Sequence, residues 1–232
     1  MAEKRPLRIL GALAVGLFIL TIPIFLITSD LRWAVNEVRL YGYGFNKYEV
    51  SETTGIRDED LLVVAQEIIH YFNSDKEPIQ ITVLTPEGEE LFNEREVIHL
   101  KDVKGLIGLS NHLQEATFGY LIAFVVGGFL WQRKRFSSSL AKTMLGGSIL
   151  TIALLTVFGI MALVNFEWLF SSFHRLFFSG DSWILSGYLP QMFPEEFFAD
   201  AAFFIVGAAV VEAIVLGGIG GFLVLRGRRA KG

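Results

Sequence analysis

The stretch MLGGSILTIALLTVFGIMALV, residues 144–164, decides the fold of this chain because none of its residues is charged. About 20 apolar residues in a row are needed to cross the hydrocarbon core of a bilayer, which is roughly 30 Å thick. Lipid offers no hydrogen-bond partner to a free backbone, so a segment that crosses it folds as a helix. Residues 144–164 are therefore predicted to form a membrane-spanning helix.

Three further stretches have the same apolar character, at about 9–28, 116–131 and 202–225. We therefore predict an integral membrane α-helical protein with four transmembrane helices. These four blocks account for most of the 52% apolar content of the 232 residues. The chain has no cysteine, which excludes disulfides and a cysteine nucleophile. Its net charge of −4 gives no basic surface for nucleic acid, so no nucleic-acid partner is expected.

Basic residues are concentrated on one side of the four predicted helices. The N-terminus, the link between the second and third helices and the C-terminal tail carry eleven basic residues, against one acidic residue, Glu3. Short loops rich in Lys and Arg stay in the cytoplasm. Both termini are therefore predicted to be cytoplasmic, and the two longer loops extracellular. The eleven residues are Lys4, Arg5, Arg8, Arg133, Lys134, Arg135, Lys142, Arg226, Arg228, Arg229 and Lys231.

The predicted organisation has eight parts. They are a cytoplasmic N-terminus with transmembrane helix 1 at 1–29, an extracellular cap at 30–115, transmembrane helix 2 at 116–131, a cytoplasmic link at 132–143, transmembrane helix 3 at 144–164, a second extracellular segment at 165–201, transmembrane helix 4 at 202–225 and a cytoplasmic tail at 226–232.

The extracellular cap is predicted to be a small α+β structure. Apolar residues at helical spacing indicate an amphipathic helix at about 59–72, with His70 on its polar face. Residues 80–84 and 89–92 are predicted to form two short strands around a turn at 85–88.

The stretch NEREVIHLKDVK, residues 93–104, holds the first candidate functional residues. Asn93 and Glu96 have the spacing of a capping box, which begins a helix. His99 and Asp102 are three residues apart and share a face of that helix. A carboxylate there can hold one imidazole nitrogen and fix the tautomer. The alternative is a histidine–aspartate pair on a surface helix without a catalytic role.

The second extracellular segment is rich in aromatic residues around one histidine. Eight of the 21 phenylalanines lie within 165–201, and His174 shares a helix face with Phe170, Phe177 and Phe178. Burial among apolar rings lowers the pKa of a histidine and favours the neutral imidazole, the form that acts as a base. The alternative is a packed histidine in an interfacial aromatic belt.

Three motifs carry a resemblance to a known family. They are YGFNKY at 43–48, EVIHLKDVK at 96–104, and FHRLFF at 173–178 followed by Trp183. With these motifs in this order, the chain resembles the bacterial lipoprotein intramolecular transacylases over nearly its whole length. The resemblance implies four transmembrane helices under an extracellular cap, with two catalytic histidines at the boundary between cap and membrane. Leu100 stands where the family often has methionine.

The resemblance also implies a reaction. An acyltransferase of this kind moves the sn-2 acyl chain of a diacylglyceryl-modified cysteine onto that cysteine's own α-amino group, which gives a lyso-form lipoprotein. We expect a monomer in the bacterial cell membrane, without cofactor or metal. It would meet its diacylated lipoprotein substrate, together with membrane lipid, in the outer leaflet.

Catalytic roles are carried over to His99 and His174, with Asp102 as the candidate residue that orients His99. The expected substrate-binding residues are aromatic residues in or next to the motifs and one carboxylate, namely Tyr41, Tyr43, Phe45, Tyr48, Glu96, Phe170, Phe173, Phe177, Phe178 and Trp183.

Two other functions are compatible with the residues. One is a metal-dependent membrane hydrolase that uses His99, His174 and a carboxylate, although no HExxH spacing is present. The other is a non-enzymatic membrane sensor or assembly protein, in which the histidines only pack.

Overall fold

A computed structural model of the chain describes residues 4–133 and 136–229. Its described residues form nine helices and no strand. In chain order the helices are α1 (Lys4–Asn36), α2 (Val38–Lys47), α3 (Val50–Thr54), α4 (Asp58–Phe72), α5 (Glu94–Gln132), α6 (Phe136–Val164), α7 (Phe166–Phe177), α8 (Tyr188–Met192) and α9 (Glu195–Arg229).

Four of these helices, α1, α5, α6 and α9, are long and apolar enough to cross a membrane. The prediction of four such helices is confirmed, and each extends beyond its predicted limits. Helix α6 begins at Phe136, so most of the predicted 132–143 link is helical. Three of the basic residues predicted to be cytoplasmic, Lys134, Arg135 and Lys231, lie outside the described residues.

The chain divides into two compact units. The first consists of Met1–Asp30, Asn111–Gly159 and Ile205–Gly232, and it holds the more apolar parts of the four long helices. Inside it, the rings of Phe18 and Phe124 lie 4.4 Å apart.

Glycines bring α6 and α9 close together in the first unit. A Cβ on Gly217 would lie 2.9 Å from the Cβ of Ser148, and one on Gly220 would lie 2.8 Å from the backbone oxygen of Ala141. Nothing lies within 4 Å of the corresponding position on Gly221. The sequence GGIGG therefore allows close helix packing, as small residues do in membranes.

The acidic residue Glu212 lies on α9 in the same unit. The nearby hydroxyl groups of Ser148 and Thr151 on α6 donate to the carbonyl oxygens of Met144 and Gly147 on their own helix. Among the described residues neither bonds to Glu212.

The second unit consists of Leu31–Ser110 and Ile160–Phe204. Its core is centred on α4, which begins within one residue of its predicted start. Leu61, Ala65 and Ile68 of this helix are buried, and His70 is exposed, as predicted. The buried core residues are Tyr41, Phe45, Val50, Ile56, Leu61, Val64, Ala65, Ile68, Tyr71, Ile79, Leu91, Phe92, Leu100, Leu189 and Met192.

The prediction of strands at 80–84 and 89–92 is wrong. Only a single bridge pairs Leu84 with Glu90, although the turn between them forms, with the Gly88 N–H donating to the Thr85 carbonyl over 2.9 Å. The physical reason is a competing partner, because the Thr82 N–H donates to the Glu67 carboxylate of α4 over 3.0 Å. The described part of the cap is therefore helical with irregular connections, and not α+β.

Candidate active site

Helix α5 begins with the predicted capping box. The side chain of Asn93 accepts the Glu96 N–H over 3.1 Å, and the Glu96 carboxylate accepts the Asn93 N–H over 3.0 Å. The second oxygen of Glu96 accepts the Leu189 N–H over 2.7 Å. Glu96 is fully buried. Its carboxylate thus fixes α5 one turn before His99 and attaches this turn to α8.

Gly187 fits against this carboxylate because it has no side chain. A Cβ at this position would lie 2.5 Å from each oxygen of Glu96 and from the side-chain nitrogen of Asn93. No local sequence pattern indicates this role, since Gly187 and its partners are separated by about 90 residues along the chain.

His99 and His174, the two histidines predicted to be catalytic, lie side by side in the second unit. Their ring centroids are 6.0 Å apart and their planes are inclined by only 20°. His99 is 7% exposed and His174 is 8% exposed, so both imidazoles are held away from water.

The hydrogen bond made by His174 determines its tautomer. Its Nδ1 lies 2.8 Å from the carbonyl oxygen of Phe170, one turn earlier on α7. A carbonyl oxygen only accepts, so Nδ1 carries the proton and Nε2 of the neutral ring has a free lone pair. Burial lowers the pKa of His174, and the Phe170 carbonyl opposes this shift. The neutral, basic form therefore prevails at neutral pH.

Unlike His174, His99 has no hydrogen bond to a described residue that fixes its ring. Its Nδ1 is buried and makes no hydrogen bond with any residue that the structure describes. Asp102 therefore does not accept the expected hydrogen bond from His99 Nδ1, and the Asp102 side chain is exposed. A buried polar atom without a partner is rare in folded proteins, and it leaves a hydrogen-bonding position for a bound molecule.

Aromatic rings enclose His174. Their centroids lie between 4.2 and 5.6 Å from its imidazole, and they belong to Phe170, Phe173, Phe178 and Trp183. Phe178 also contacts His99, at 4.9 Å, so this ring touches both imidazoles. Phe177 packs against Phe173 at 4.8 Å. The structure thus brings the aromatic residues predicted at 170–183 to one place.

The aromatic residues of the 41–48 stretch lie elsewhere. Tyr41 and Phe45 are core residues that pack against Phe193. Tyr43 is 58% exposed. The Tyr48 hydroxyl lies 2.7 Å from the carboxylate of Asp200. In the described part of the chain none of the four has a ring contact with His99 or His174.

A row of rings nevertheless connects the 41–48 stretch to the histidine pair. Tyr41 packs against Phe197, which contacts Phe198 at 5.5 Å. Phe198 in turn contacts Phe170 at 5.4 Å. Tyr41, and Phe45 through Phe193, are therefore connected to the aromatic enclosure by ring contacts, whereas within the described chain Tyr43 and Tyr48 are not.

A cleft of about 320 Å³ opens next to the histidine pair. Its walls come from α5 and from the end of α7, and Phe178 belongs both to these walls and to the enclosure. The lining residues are Lys101, Asp102, Gly105, Phe177, Phe178 and Ser179. Within the described residues, no three His, Cys, Asp or Glu side chains are grouped so that they could hold a metal ion.

Comparisons with solved structures agree with this fold. The chain is 21% identical to the membrane-integral lipoprotein intramolecular transacylase Lit from Bacillus cereus, with a TM-score of 0.81 over 95% of this chain and 98% of that one. Two variants of the Bacillus cereus protein, each with one histidine replaced, match at 21% identity and a TM-score of 0.72. The arginine variant covers 98% of this chain and 99% of that one, and the alanine variant 97% and 100%.

No curated protein matches the chain. The family described as lipoprotein intramolecular transacylase Lit matches residues 16–198, which is well over half of the sequence. The chain therefore belongs to the lipoprotein intramolecular transacylase family and is a membrane-integral acyltransferase.

Proposed function

We propose that the chain transfers the sn-2 acyl group of a diacylglyceryl-modified N-terminal cysteine to the α-amino group of the same cysteine. The product is a lyso-form lipoprotein. Family membership supports the general reaction. The observation that carries the assignment to this site is the pair of buried imidazoles, 6.0 Å apart, inside an aromatic enclosure.

The transfer balances without any co-reactant. The cysteine nitrogen attacks the carbonyl carbon of the sn-2 ester, so that a C–N bond forms and the C–O bond to the glyceryl group breaks. One proton leaves the nitrogen and one is delivered to the departing alkoxide. The chemistry needs a base, a donor to the tetrahedral oxyanion and an acid, and imidazoles can supply all three.

His174 acts as the base in this proposal. The bond from its Nδ1 to the Phe170 carbonyl directs the lone pair of Nε2 towards the reacting atoms. Nε2 takes the proton from the amine, and the resulting imidazolium returns it to the alkoxide. His99 donates its ring N–H to the oxyanion, because its Nδ1 makes no bond within the described protein.

The aromatic residues keep the reaction intramolecular. Water in the site would hydrolyse the ester, and the rings of Phe170, Phe173, Phe178 and Trp183 exclude it. Holding donor and acceptor together can supply an effective molarity on the order of 10⁵–10⁸ M. We assign Glu96 a positioning role, since both of its oxygens accept backbone N–H groups.

The charge pattern supports a reaction on the outer face of the membrane. The basic N-terminus, link and tail remain in the cytoplasm, so the histidines meet a diacylated lipoprotein in the outer leaflet. Tyr41 supports the aromatic enclosure through Phe197 and Phe198.

Mass spectrometry of a synthetic diacylglyceryl-cysteine lipopeptide, incubated with the purified chain in nanodiscs, tests the proposal. We expect an unchanged mass with one acyl group moved to nitrogen. His99→Ala and His174→Ala should each lower the rate by about 100-fold or more, the usual contribution of an acid or base. His70→Ala, at an exposed histidine of α4, is the matched control and should keep the wild-type rate.

Loss of an acyl mass would identify a hydrolase instead. Full transfer activity in both folded histidine variants would refute the assignment of the site.

A further inference from the structure

Asp102 lines the cleft next to the histidine pair. It follows His99 by three residues on α5, and its exposed side chain lines the cleft next to Phe178. Among the described residues it makes no hydrogen bond or ion pair, and His99 Nδ1 is unbonded as well. The charge of Asp102 acts on His99, where it opposes the lowering of the imidazole pKa by burial. A carboxylate one helical turn from a reaction centre, without a hydrogen bond to any described residue, is suited to bind a positively charged group of the substrate.

The distance between neighbouring side chains on a helix limits which group of the substrate Asp102 can bind. Side chains at positions i and i+3 have Cβ atoms roughly 5–6 Å apart. Attack on an ester requires the nitrogen to approach the carbonyl carbon within about 3–3.5 Å. The nitrogen of the substrate must therefore lie close to its own carbonyl group at the histidines, within reach of Asp102.

We propose that the cleft binds the polar end of the lipidated cysteine, with the Asp102 carboxylate accepting hydrogen bonds from its α-ammonium group. This inference rests on the proposed function. A terminal amine has a pKa of about 7.7–8.0, so most substrate molecules arrive protonated at neutral pH. Charge-assisted hydrogen bonds between an ammonium group and a carboxylate are about twice as strong as neutral ones.

The cleft contains suitable surroundings for the rest of this polar end. Its apolar wall is formed by Phe177 and Phe178, of which Phe178 contacts both histidines. The volume of about 320 Å³ lies in the lower range of small-molecule sites. An α-ammonium group bound by Asp102 thus stands at the entrance to the enclosure. It releases one proton to solvent to become the neutral amine that attacks the ester, and the second proton, lost as the C–N bond forms, goes to the neutral Nε2 of His174.

This role makes Asp102 a residue for substrate recognition. Replacing it should weaken the binding of substrates that carry an amine, and should raise KM more than it lowers kcat. A role limited to the structure of α5 would weaken all ligands equally.

The test compares two unreactive lipopeptides, both with an sn-2 ether in place of the ester. One carries the α-amino group, and the other has a hydrogen in its place. The wild-type full-length chain in nanodiscs should bind the amino compound about tenfold more tightly, as expected for one charge-assisted bond. In Asp102→Asn the ratio of the two dissociation constants should fall close to one. Asp102→Glu should restore most of it.

Glu59→Gln removes the same charge from a residue that is 87% exposed on α4, and it should keep the wild-type ratio. Because each protein is its own reference for the two ligands, partial loss of folded material does not alter the ratio. An unchanged ratio in Asp102→Asn, or no preference in the wild type, would overturn the proposal. Failure of the proposed function is a separate result, namely that the wild type leaves the sn-2 ester substrate unaltered.

Discussion

The tautomer of His174 is set by a single backbone carbonyl. Aromatic neighbours at helical spacing predicted a buried imidazole, and the structure agrees, with 8% exposure. The sequence did not reveal the hydrogen bond from Nδ1 to Phe170, since any helical residue has a carbonyl four positions earlier. Only the side-chain rotamer decides whether that carbonyl is used. The base role that we propose for Nε2 rests on this geometry.

His174 should titrate below the ordinary histidine value of about 6.5, because burial lowers its pKa. An NMR titration of ¹³C-labelled histidine, with its signal assigned through His174→Gln, measures this directly. In the unfolded chain the same ring binds a proton at higher pH. The wild type should therefore lose stability relative to His174→Gln as the pH falls below 6.5, by at most about 1.4 kcal/mol per pH unit. A midpoint at or above 6.5 would contradict the prediction.

At the scale of elements, the start of α5 and the start of α8 meet at one carboxylate. The capping box was predictable from Asn93 and Glu96, since both partners lie within four residues. The contact with Leu189 was not, because it joins segments that only the fold brings together. His99 follows this junction by one turn, so the junction determines where the imidazole lies.

Gly187→Ala should disrupt that junction. The new Cβ would lie 2.5 Å from the Glu96 oxygens, so the Leu189 hydrogen bond must lengthen or break. Leaving a buried carboxylate oxygen unsatisfied costs about 1–3 kcal/mol. Thermal unfolding in detergent should show this loss, together with reduced transfer activity. Gly159→Ala, where nothing lies within 4 Å of the added carbon, is the control. Equal stability of the two variants would show that α8 tolerates the shift.

The packing of α6 against α9 allows a sharper comparison between adjacent glycines. Gly220→Ala would place a carbon 2.8 Å from the Ala141 carbonyl oxygen and 3.0 Å from the Leu145 nitrogen, which are backbone atoms and cannot rotate away. Gly221→Ala meets nothing within 4 Å. We expect the first change to cost about 1–3 kcal/mol, as overpacking does, and the second to leave thermal unfolding unchanged. Similar values for both would refute the close contact.

For the whole molecule, hydropathy predicted the four long helices because each needs only its own sequence to satisfy its backbone in lipid. The ends of the helices were less predictable. Helix α5 begins at Glu94, some twenty residues before its apolar part, since the capping box and not hydropathy determines its start. The prediction of two strands was wrong because the Thr82 N–H donates to the Glu67 carboxylate. The β-propensity of residues 80–84 does not reveal this competing hydrogen bond.

The sidedness of the chain is a prediction that rests on charge alone. The three basic segments contain eleven Lys and Arg residues and one acidic residue, so electrostatics should keep all three in the cytoplasm. A green fluorescent protein fused to the C-terminus should fluoresce, and alkaline phosphatase fused there should be inactive. The same two reporters inserted next to Asp75, an exposed residue after α4, should give the opposite pair of results. Active phosphatase at the C-terminus would show that the chain has the opposite orientation. The proposed outer-leaflet substrate would then have no access to His99 and His174.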